Sequence, residues 1–327
     1  MNIALLTTGD RKMATARMWF YEMSDMLRGL GQTVSVNALD LPRYDVAVVH
    51  WCTPEAIAKV LAHSPSCRIG VMNPGFGPPP EVRDNIDFMI VGSFLWEEIL
   101  LPFGRRVYQH FDFPPEAERP RKVHANGPGP LVLGYCGNPI HYENDLFPHA
   151  AEGIARLARE RNVLFRVVTN KAAAKPVIPG VRTELIEWEL ETHEEYTASF
   201  DIGVCPSFRD LAQLTEPFTF VRNGNRVQTL LWRSIPSVAS PLPESCQTFQ
   251  HGEHVFYAHT SHGWHHHLRT LADRPELRQT IGDRGRALVN EKFNRKQAAE
   301  AYLQIMLEEL RQPAFAKNPA GLRAPRT

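Results

Sequence analysis

The sequence predicts an α/β protein of two Rossmann-like domains that face a cleft, followed by a C-terminal helix and a short mobile tail. Three observations predict this class. The 327 residues are about twice the length of an ordinary domain. Short apolar runs alternate with amphipathic segments, and a stretch rich in proline and glycine interrupts them over residues 114–130. We therefore expect an N-terminal domain over 1–127, a second domain over 128–312 and a tail over 313–327.

The first half contains one series of strands and helices. Buried strands of a parallel sheet are short and almost wholly apolar, and the helices that connect them are amphipathic. By this criterion the half begins and ends with a strand. The strands are predicted over 3–6, 34–36, 45–50, 68–72, 88–92 and 106–108, and the helices over 13–30, 54–62 and 94–101.

The second half repeats the alternation after the linker. Apolar residues recur near helical spacing over 295–310, which predicts a terminal amphipathic helix. Beyond Gln312 the periodicity is lost and prolines recur, which is typical of a mobile tail. The strands of this half are predicted over 131–135, 165–168, 202–204 and 237–239.

Composition excludes several classes of protein. Positive and negative side chains number 36 each, so no overall basic field attracts a nucleic acid. The first residues form a strand-like run without a signal-peptide pattern, and no stretch offers ~20 uninterrupted apolar residues, so we expect a cytoplasmic protein. The five cysteines include no C-x-x-C pair and are expected to be reduced thiols. Nothing in the sequence indicates an oligomeric state.

Four pieces of the second half resemble, in order, the family-4 group of GT-B glycosyltransferases. The resemblance covers about residues 131–310, and the first half shares only the layout. It implies a hexosyltransferase-like enzyme of polysaccharide biosynthesis that moves a sugar from a nucleotide diphosphate donor to a glycan, lipid-linked or other acceptor. It also implies retention at the anomeric carbon without a metal or cofactor, the nucleotide sugar being a substrate. The pieces are Leu133-Gly134-Tyr135-Cys136-Gly137-Asn138, residues 200–207, residues 225–240 and residues 271–293.

This sequence departs from the family pattern in two places. The family commonly has an arginine and a lysine in the turn after the first strand of the second domain. Residues 138–144, which occupy that turn here, contain neither. Two glutamates of the donor helix are replaced by Val221 and Thr229. Two alternatives therefore stay open: a sugar-nucleotide epimerase of the same fold, and a non-catalytic nucleotide-sugar-binding or scaffold protein.

The donor side is predicted from its charge. A departing diphosphate needs cations and preorganised N–H donors. Arg226 is expected in the first turn of a helix that Asn223 caps and that ends near Arg233, where a cation opposes the helix dipole unless an anion is bound. The alternative for Arg222 and Arg226 is a solvated basic face, and the alternative for the turn over 134–138 is a plain tight turn. The predicted diphosphate-binding residues are Gly137, Asn138, Arg222, Asn223, Asn225 and Arg226, and the predicted nucleotide-binding residues are Thr169, Glu189 and Thr229.

The acceptor side is predicted from strand ends in the first half. Asp10 and His50 each follow an apolar strand, and sites collect at the carboxyl edge of parallel sheets. We predict them as catalytic or acceptor-orienting residues, with a structural role as the alternative. Asn73 and Gly75, in a glycine-rich turn, are expected to touch the acceptor.

Two further stretches invite functional interpretations. Residues 11–21 are basic and aromatic, so a peripheral membrane contact is open, although a core-packed helix is favoured. Residues 262–267 contain four histidines, but consecutive residues of a helix diverge by ~100°, so no metal site is expected there.

Overall fold

The computed structural model describes residues 1–114, 119–146, 149–170, 177–207, 221–319 and 322. The chain divides into two compact units, Met1–Phe113 with Phe293–Thr327, and Pro114–Lys292. Each unit contains one six-stranded sheet with helices. Every strand pairing is parallel. The predicted α/β class with two Rossmann-like units is confirmed.

The first sheet has the strand order β2-β1-β3-β4-β5-β6. Because all its strands are parallel, their carboxyl ends lie along one edge. β3 is buried along its whole length, and its last residue, His50, pairs in register with Met72 of β4. The strands are β1 Asn2–Leu6, β2 Thr33–Val36, β3 Val46–His50, β4 Arg68–Met72, β5 Phe88–Val91 and β6 Arg106–Gln109. The helices are Ala14–Ala16, the π-helix Arg17–Glu22, Met23–Gly29, Pro54–His63, Pro80–Arg83, Phe94–Leu100, the 3-10 helix Leu101–Phe103 and Arg295–Arg311.

The basic and aromatic stretch near the N-terminus packs into the core of this unit. Trp19 and Phe20 are buried, and the indole of Trp19 donates a hydrogen bond to Asp112 (2.7 Å). The favoured interpretation, a core-packed helix, is therefore confirmed. None of the described helices is long and apolar enough to cross a membrane.

The second sheet has the strand order β12-β11-β10-β7-β8-β9. β7 lies between β8 and β10, so the chain leaves β7 in one direction and returns on its other side. The strands are β7 Leu131–Cys136, β8 Val163–Thr169, β9 Thr183–Glu187, β10 Ile202–Cys205, β11 Ser237–Ala239 and β12 Phe256–Tyr257. The helices are Pro139–Asp145, His149–Glu160, His193–Ala198, Asn225–Leu231, Pro243–Thr248, Ser261–Asp273 and Pro275–Lys292.

The division between the units differs from the predicted boundary at residue 127. Residues that follow Pro114 bond within the second unit: the backbone N–H of Lys122 donates to the Arg233 carbonyl (2.8 Å), and Arg119 pairs with Glu194. The last helix belongs to the first unit rather than the second. Its apolar face packs into the core formed by β1, β3 and β5, through Ala298, Ala299, Tyr302, Ile305 and Met306.

The prediction of a mobile tail is wrong for residues 313–319. Asp87 is fully buried, and Lys317 pairs with it at 2.9 Å. The Phe315 ring lies beneath the guanidinium groups of Arg105 and Arg106, at 4.3 and 4.8 Å from its centroid. A buried carboxylate requires a cation, and the tail supplies one. Apart from Leu322, the rest of the tail lies outside the described residues.

Candidate functional site

A pocket opens at the carboxyl edge of the second sheet, beside the ends of β10 and β11. The start of the helix Asn225–Leu231 also lines it. Ligands of doubly wound sheets bind at this edge, near the point where the strand order reverses, which here is between β7 and β10. We call it the Arg226 pocket; its lining residues are Cys205, Ser207, Asn223, Gly224, Arg226, Val227, Ala239, Ser240, Leu242 and Ser245.

Arg226 spans the reversal point. Its Nη1 donates to the carbonyl of Pro206 after β10 (2.7 Å), and its Nη2 lies 3.4 Å from the Ser207 hydroxyl. Its guanidinium carbon is 5.9 Å from the centre of the Tyr135 ring of β7. The described residues thus accept from two of the five N–H groups of the guanidinium. The remaining donors are suited to an anion.

The predicted glycine turn lies directly beside Arg226. A Cβ atom built on Gly137 would be 3.1 Å from the Tyr135 hydroxyl and 3.6 Å from Arg226 Cδ. The turn is held by two hydrogen bonds, from Gly137 N–H to Val168 O (3.1 Å) and from the Tyr135 hydroxyl to Asn138 O (2.9 Å). Glycine therefore allows this backbone to approach Arg226 closely.

Arg222 shares Ser207 with Arg226 but also pairs with a buried carboxylate. Its Nη1 is 2.7 Å from Oδ2 of Asp145, whose side chain is 3% exposed, and also donates to the Ser207 carbonyl. The same Asp145 oxygen lies 3.1 Å from His141 Nδ1. Burial lowers the pKa of His141, and the Asp145 hydrogen bond opposes that shift. Sequence reasoning missed this His141–Asp145–Arg222 group because Arg222 is 77 residues away from Asp145 in the chain.

The predicted Asn223 cap is wrong. The helix begins at Asn225 and ends at Leu231, two residues before the predicted end at Arg233. Its N-cap is Gly224, which offers no side chain, and Asn223 lies one residue earlier in the wall of the pocket. Asn225 contributes its carbonyl to the Thr229 hydroxyl (2.8 Å).

The two positions without glutamates carry no acid. Val221 is buried, and the Thr229 hydroxyl is bonded within its own helix. Thr229 does not line the Arg226 pocket. The structure therefore leaves its predicted nucleotide contact as a prediction.

The other two predicted nucleotide residues follow neighbouring strands of the same edge. Thr169 ends β8 and is fully buried, and its hydroxyl has no hydrogen-bond partner among the described residues. Glu189 follows β9 and is exposed. The strand ends are joined by the Trp188 N–H, which donates to Thr169 O (2.9 Å). Neither residue lines the Arg226 pocket.

Three serines of the pocket were not predicted as site residues. The Ser207 N–H donates to the Ser240 hydroxyl (3.0 Å), and the Ser245 hydroxyl lies 2.8 Å from the Tyr257 hydroxyl. Ser207 and Ser240 each follow a strand, which is a usable signal, whereas nothing in the sequence connects Ser245 with them. Burial raises the pKa of the Cys205 thiol to about 11, so this cysteine is a neutral wall residue.

In the first unit, His50 is a buried residue at the end of β3. Its Nδ1 lies 2.8 Å from the Thr7 hydroxyl, and its ring packs against Phe20 and Trp51 at 5.0 and 4.2 Å. Burial lowers the pKa of His50 to about 4, so the ring is neutral at neutral pH. His50 is only 1% exposed, and its ring lies beneath the Trp51 indole.

Asp10 is exposed after β1. Its carboxylate accepts hydrogen bonds from the backbone N–H groups of Lys12 (2.9 Å) and Met13 (3.2 Å). These bonds shape the turn before the first helix. Catalytic roles for Asp10 and His50 stay predictions.

The predicted acceptor turn has an unusual backbone. Asn73, Gly75 and Gly77 have φ of 54°, 71° and 145°. The Trp96 indole donates to the Gly75 carbonyl (2.7 Å) and fixes the turn. A glycine at 75 or 77 adopts such angles without strain.

The histidine run of 262–267 is divided among different partners. His265 lies 2.8 Å from Glu160, and the His267 ring stacks on Phe256 at 4.7 Å. Among the described residues, no group of three His, Cys, Asp or Glu side chains is placed to hold a metal ion.

Comparison with solved structures identifies the architecture. No protein-family model matches the chain, and no curated protein sequence matches it. HepE from Anabaena, solved with UDP and glucose, is similar at 12% identity and a TM-score of 0.65, over 94% of this chain and 100% of that one. Sucrose-phosphate synthase from Thermosynechococcus elongatus has 12% identity and a TM-score of 0.67, over 94% and 98%. A glycosyltransferase from Rickettsia africae has 9% identity and a TM-score of 0.70, over 95% and 99%. The chain therefore has the GT-B fold.

Proposed function

We propose that this protein is a glycosyltransferase that moves a sugar from a nucleoside diphosphate donor to an acceptor. The donor binds in the second unit, at the Arg226 pocket and the Gly137 turn. The acceptor is a glycan or a lipid-linked glycan bound by the first unit. The nucleotide sugar is a substrate, and no cofactor takes part.

The position of Arg226 carries this proposal. It stands at the reversal point of the second sheet, beside a glycine turn, with N–H groups that the described residues do not use. Arg222 also contacts Ser207, through the main-chain carbonyl rather than the hydroxyl. Two guanidinium groups are suited to the two phosphates of a nucleoside diphosphate, which they would bind in fork geometry. The neighbour from Anabaena, solved with UDP and glucose, supports this ligand class.

The arrangement supports leaving-group stabilisation. Negative charge grows on the diphosphate as the glycosidic bond breaks, and fixed cations stabilise it more strongly in the transition state than in the ground state. We propose that Arg226 performs this role without a metal ion. Retention at the anomeric carbon is proposed from the family resemblance alone.

The nucleoside is assigned to the strand ends beside the pocket. Thr169 has a buried hydroxyl without a partner among the described residues, and Glu189 is an exposed carboxylate after the next strand. We propose that these two residues replace the glutamates missing at Val221 and Thr229. A ribose hydroxyl would donate to Glu189.

Calorimetric titration with UDP, GDP and ADP, followed by turnover of the matching nucleotide sugars, tests the proposal. We expect one of the nucleoside diphosphates to bind. We also expect the matching nucleotide sugar to be cleaved to that nucleoside diphosphate, at a higher rate when glycans are added. Arg226→Lys should reduce the nucleotide affinity and the turnover rate. Arg159→Ala, at a 66% exposed arginine of the same unit, should change neither quantity. Binding without turnover would favour a scaffold protein, and epimer formation an epimerase. Absence of nucleotide binding would refute the proposal.

A further inference from the structure

Exposed aromatic side chains are concentrated at one edge of the first sheet. Among the described residues of this unit, Trp51 and Phe76 are the large aromatic side chains that are exposed, at 43% and 42%. They follow β3 and β4, which are adjacent and parallel. Both therefore lie at the carboxyl edge, where ligands of such sheets bind.

Trp51 has a backbone conformation that is unfavourable for its type. Its φ is 57°, in the left-handed region, where a bulky residue is a true outlier. Its N–H nevertheless continues the sheet by donating to Met72 O (2.8 Å). Strain of this kind persists at functional sites, because the surrounding structure imposes it. Here it places the indole outside the buried strand that precedes it.

The indole has a fixed orientation. One face stacks on the His50 imidazole, with a centroid distance of 4.2 Å and an interplanar angle of 22°. His50 is held in turn by Thr7 (2.8 Å). Because a neutral, buried ring supports it from one side, the exposed part of the indole is a preorganised flat surface.

The neighbouring turn is equally constrained. The Cys52 thiol donates to the Pro74 carbonyl (3.3 Å), and the Trp96 indole donates to the Gly75 carbonyl (2.7 Å). Phe76 is therefore presented by a turn that is fixed on both sides. Half-buried Asn73 in the same turn adds an amide that can donate and accept hydrogen bonds.

We propose that Trp51 is the stacking surface for a sugar ring of the acceptor. A pyranose has one face of C–H groups, which packs on an aromatic ring, and a rim of hydroxyls, which needs amide and carbonyl partners. A rigid aromatic ring beside a polar turn provides both. The inference rests on the proposed function and narrows it, since the acceptor must present a carbohydrate ring at the site of transfer rather than a lipid or protein hydroxyl alone.

Saturation-transfer NMR with maltose, cellobiose, lactose and chitobiose tests the inference on the full chain. We expect at least one of these sugars to receive saturation from the wild-type protein, and Trp51→Ala to weaken its binding about five- to tenfold. Trp51→Phe should recover much of the binding. Tyr196→Ala, at a 38% exposed aromatic residue of the second unit, should have no effect. Thermal melts establish that each variant is folded.

Two results would overturn the inference: no response from any of the four sugars, or equal responses in wild type and Trp51→Ala. Titration of the same samples with UDP, GDP and ADP separates this inference from the proposed function. Trp51→Ala should bind the same nucleoside diphosphate as the wild type, with the same affinity, because Trp51 is in the other unit. Nucleotide binding with no sugar response would refute the stacking role of Trp51 and leave the proposed donor site standing. Sugar binding without any nucleotide binding would refute the donor site and leave the stacking role of Trp51 standing.

Discussion

Arg222 Nη1 lies 2.7 Å from Oδ2 of Asp145, and the Asp145 side chain is 3% exposed. The pair connects the segment before the helix Asn225–Leu231 to the end of the helix after β7. Arg226, four residues later, bonds to a main-chain carbonyl and lies 3.4 Å from a serine hydroxyl. The two arginines therefore differ: Arg222 neutralises a buried carboxylate, and Arg226 does not.

Arg222→Met should destabilise the protein by about 3 kcal/mol, because it leaves the buried Asp145 carboxylate without its cation. Urea denaturation of the purified variant measures this change. The double variant Arg222→Met/Asp145→Asn should recover most of the loss, since neither charge then remains. Equal stability of wild type and Arg222→Met would indicate that the ion pair contributes nothing.

Arg226→Ala should weaken nucleoside diphosphate binding by about 1.5–3 kcal/mol, the range for hydrogen bonds to charged groups, while costing only about 1 kcal/mol of stability. Calorimetric titration with the nucleotide and thermal melts measure the two quantities. Combined with Arg222→Met, the effects on binding should not add, because both side chains contact Ser207. Wild-type affinity in Arg226→Ala would exclude it from the donor site.

His110→Phe should remove part of the acid sensitivity of the fold. Burial lowers the pKa of His110 to about 3, and neither ring nitrogen has a hydrogen-bond partner among the described residues. The unfolded chain binds a proton near pH 6.5, so stability is complete above that pH and declines as the pH falls toward 3. Between pH 8 and pH 5 this histidine should cost the wild type about 2 kcal/mol of unfolding free energy, and the variant should not show that loss.

Denaturant titrations at both pH values measure this difference. His50, with a pKa of about 4, contributes a similar decline and remains in the variant as an internal reference. The same pH dependence in wild type and His110→Phe would contradict the assigned cause.

Gly282→Ala should destabilise the second unit by about 3 kcal/mol or more, because a Cβ atom at this position would lie 2.0 Å from the Ser234 carbonyl oxygen. Ser234 has φ of 60° and is fully buried, so it cannot move away easily. Gly29 is a matched control, as it is also in a helix but has no atom within 4 Å of the built Cβ. Gly29→Ala should be neutral or stabilise by about 0.5 kcal/mol. Thermal melts that rank the two variants equally would contradict the packing argument.

The sequence by itself determined the α/β class, most of the strands and the position of Arg226. Buried parallel strands are apolar along their whole length, and this is a local property that the residues display directly. The same criterion overlooks β9 and β12, because it recognises only strands with a buried apolar run. β9 is a polar edge strand, and β12 has two residues, so neither contains a buried apolar run.

Only the tertiary structure decided which core each segment joins. The periodicity of residues 295–310 predicts that one face of the helix is buried, but not against which sheet, and the helix packs on the first. Asp87 and Lys317 are far apart in the chain, as are Arg222 and Asp145, so no local pattern connects them. Local sequence patterns report how much of a residue is buried, whereas the choice among possible partners is made by packing between distant segments.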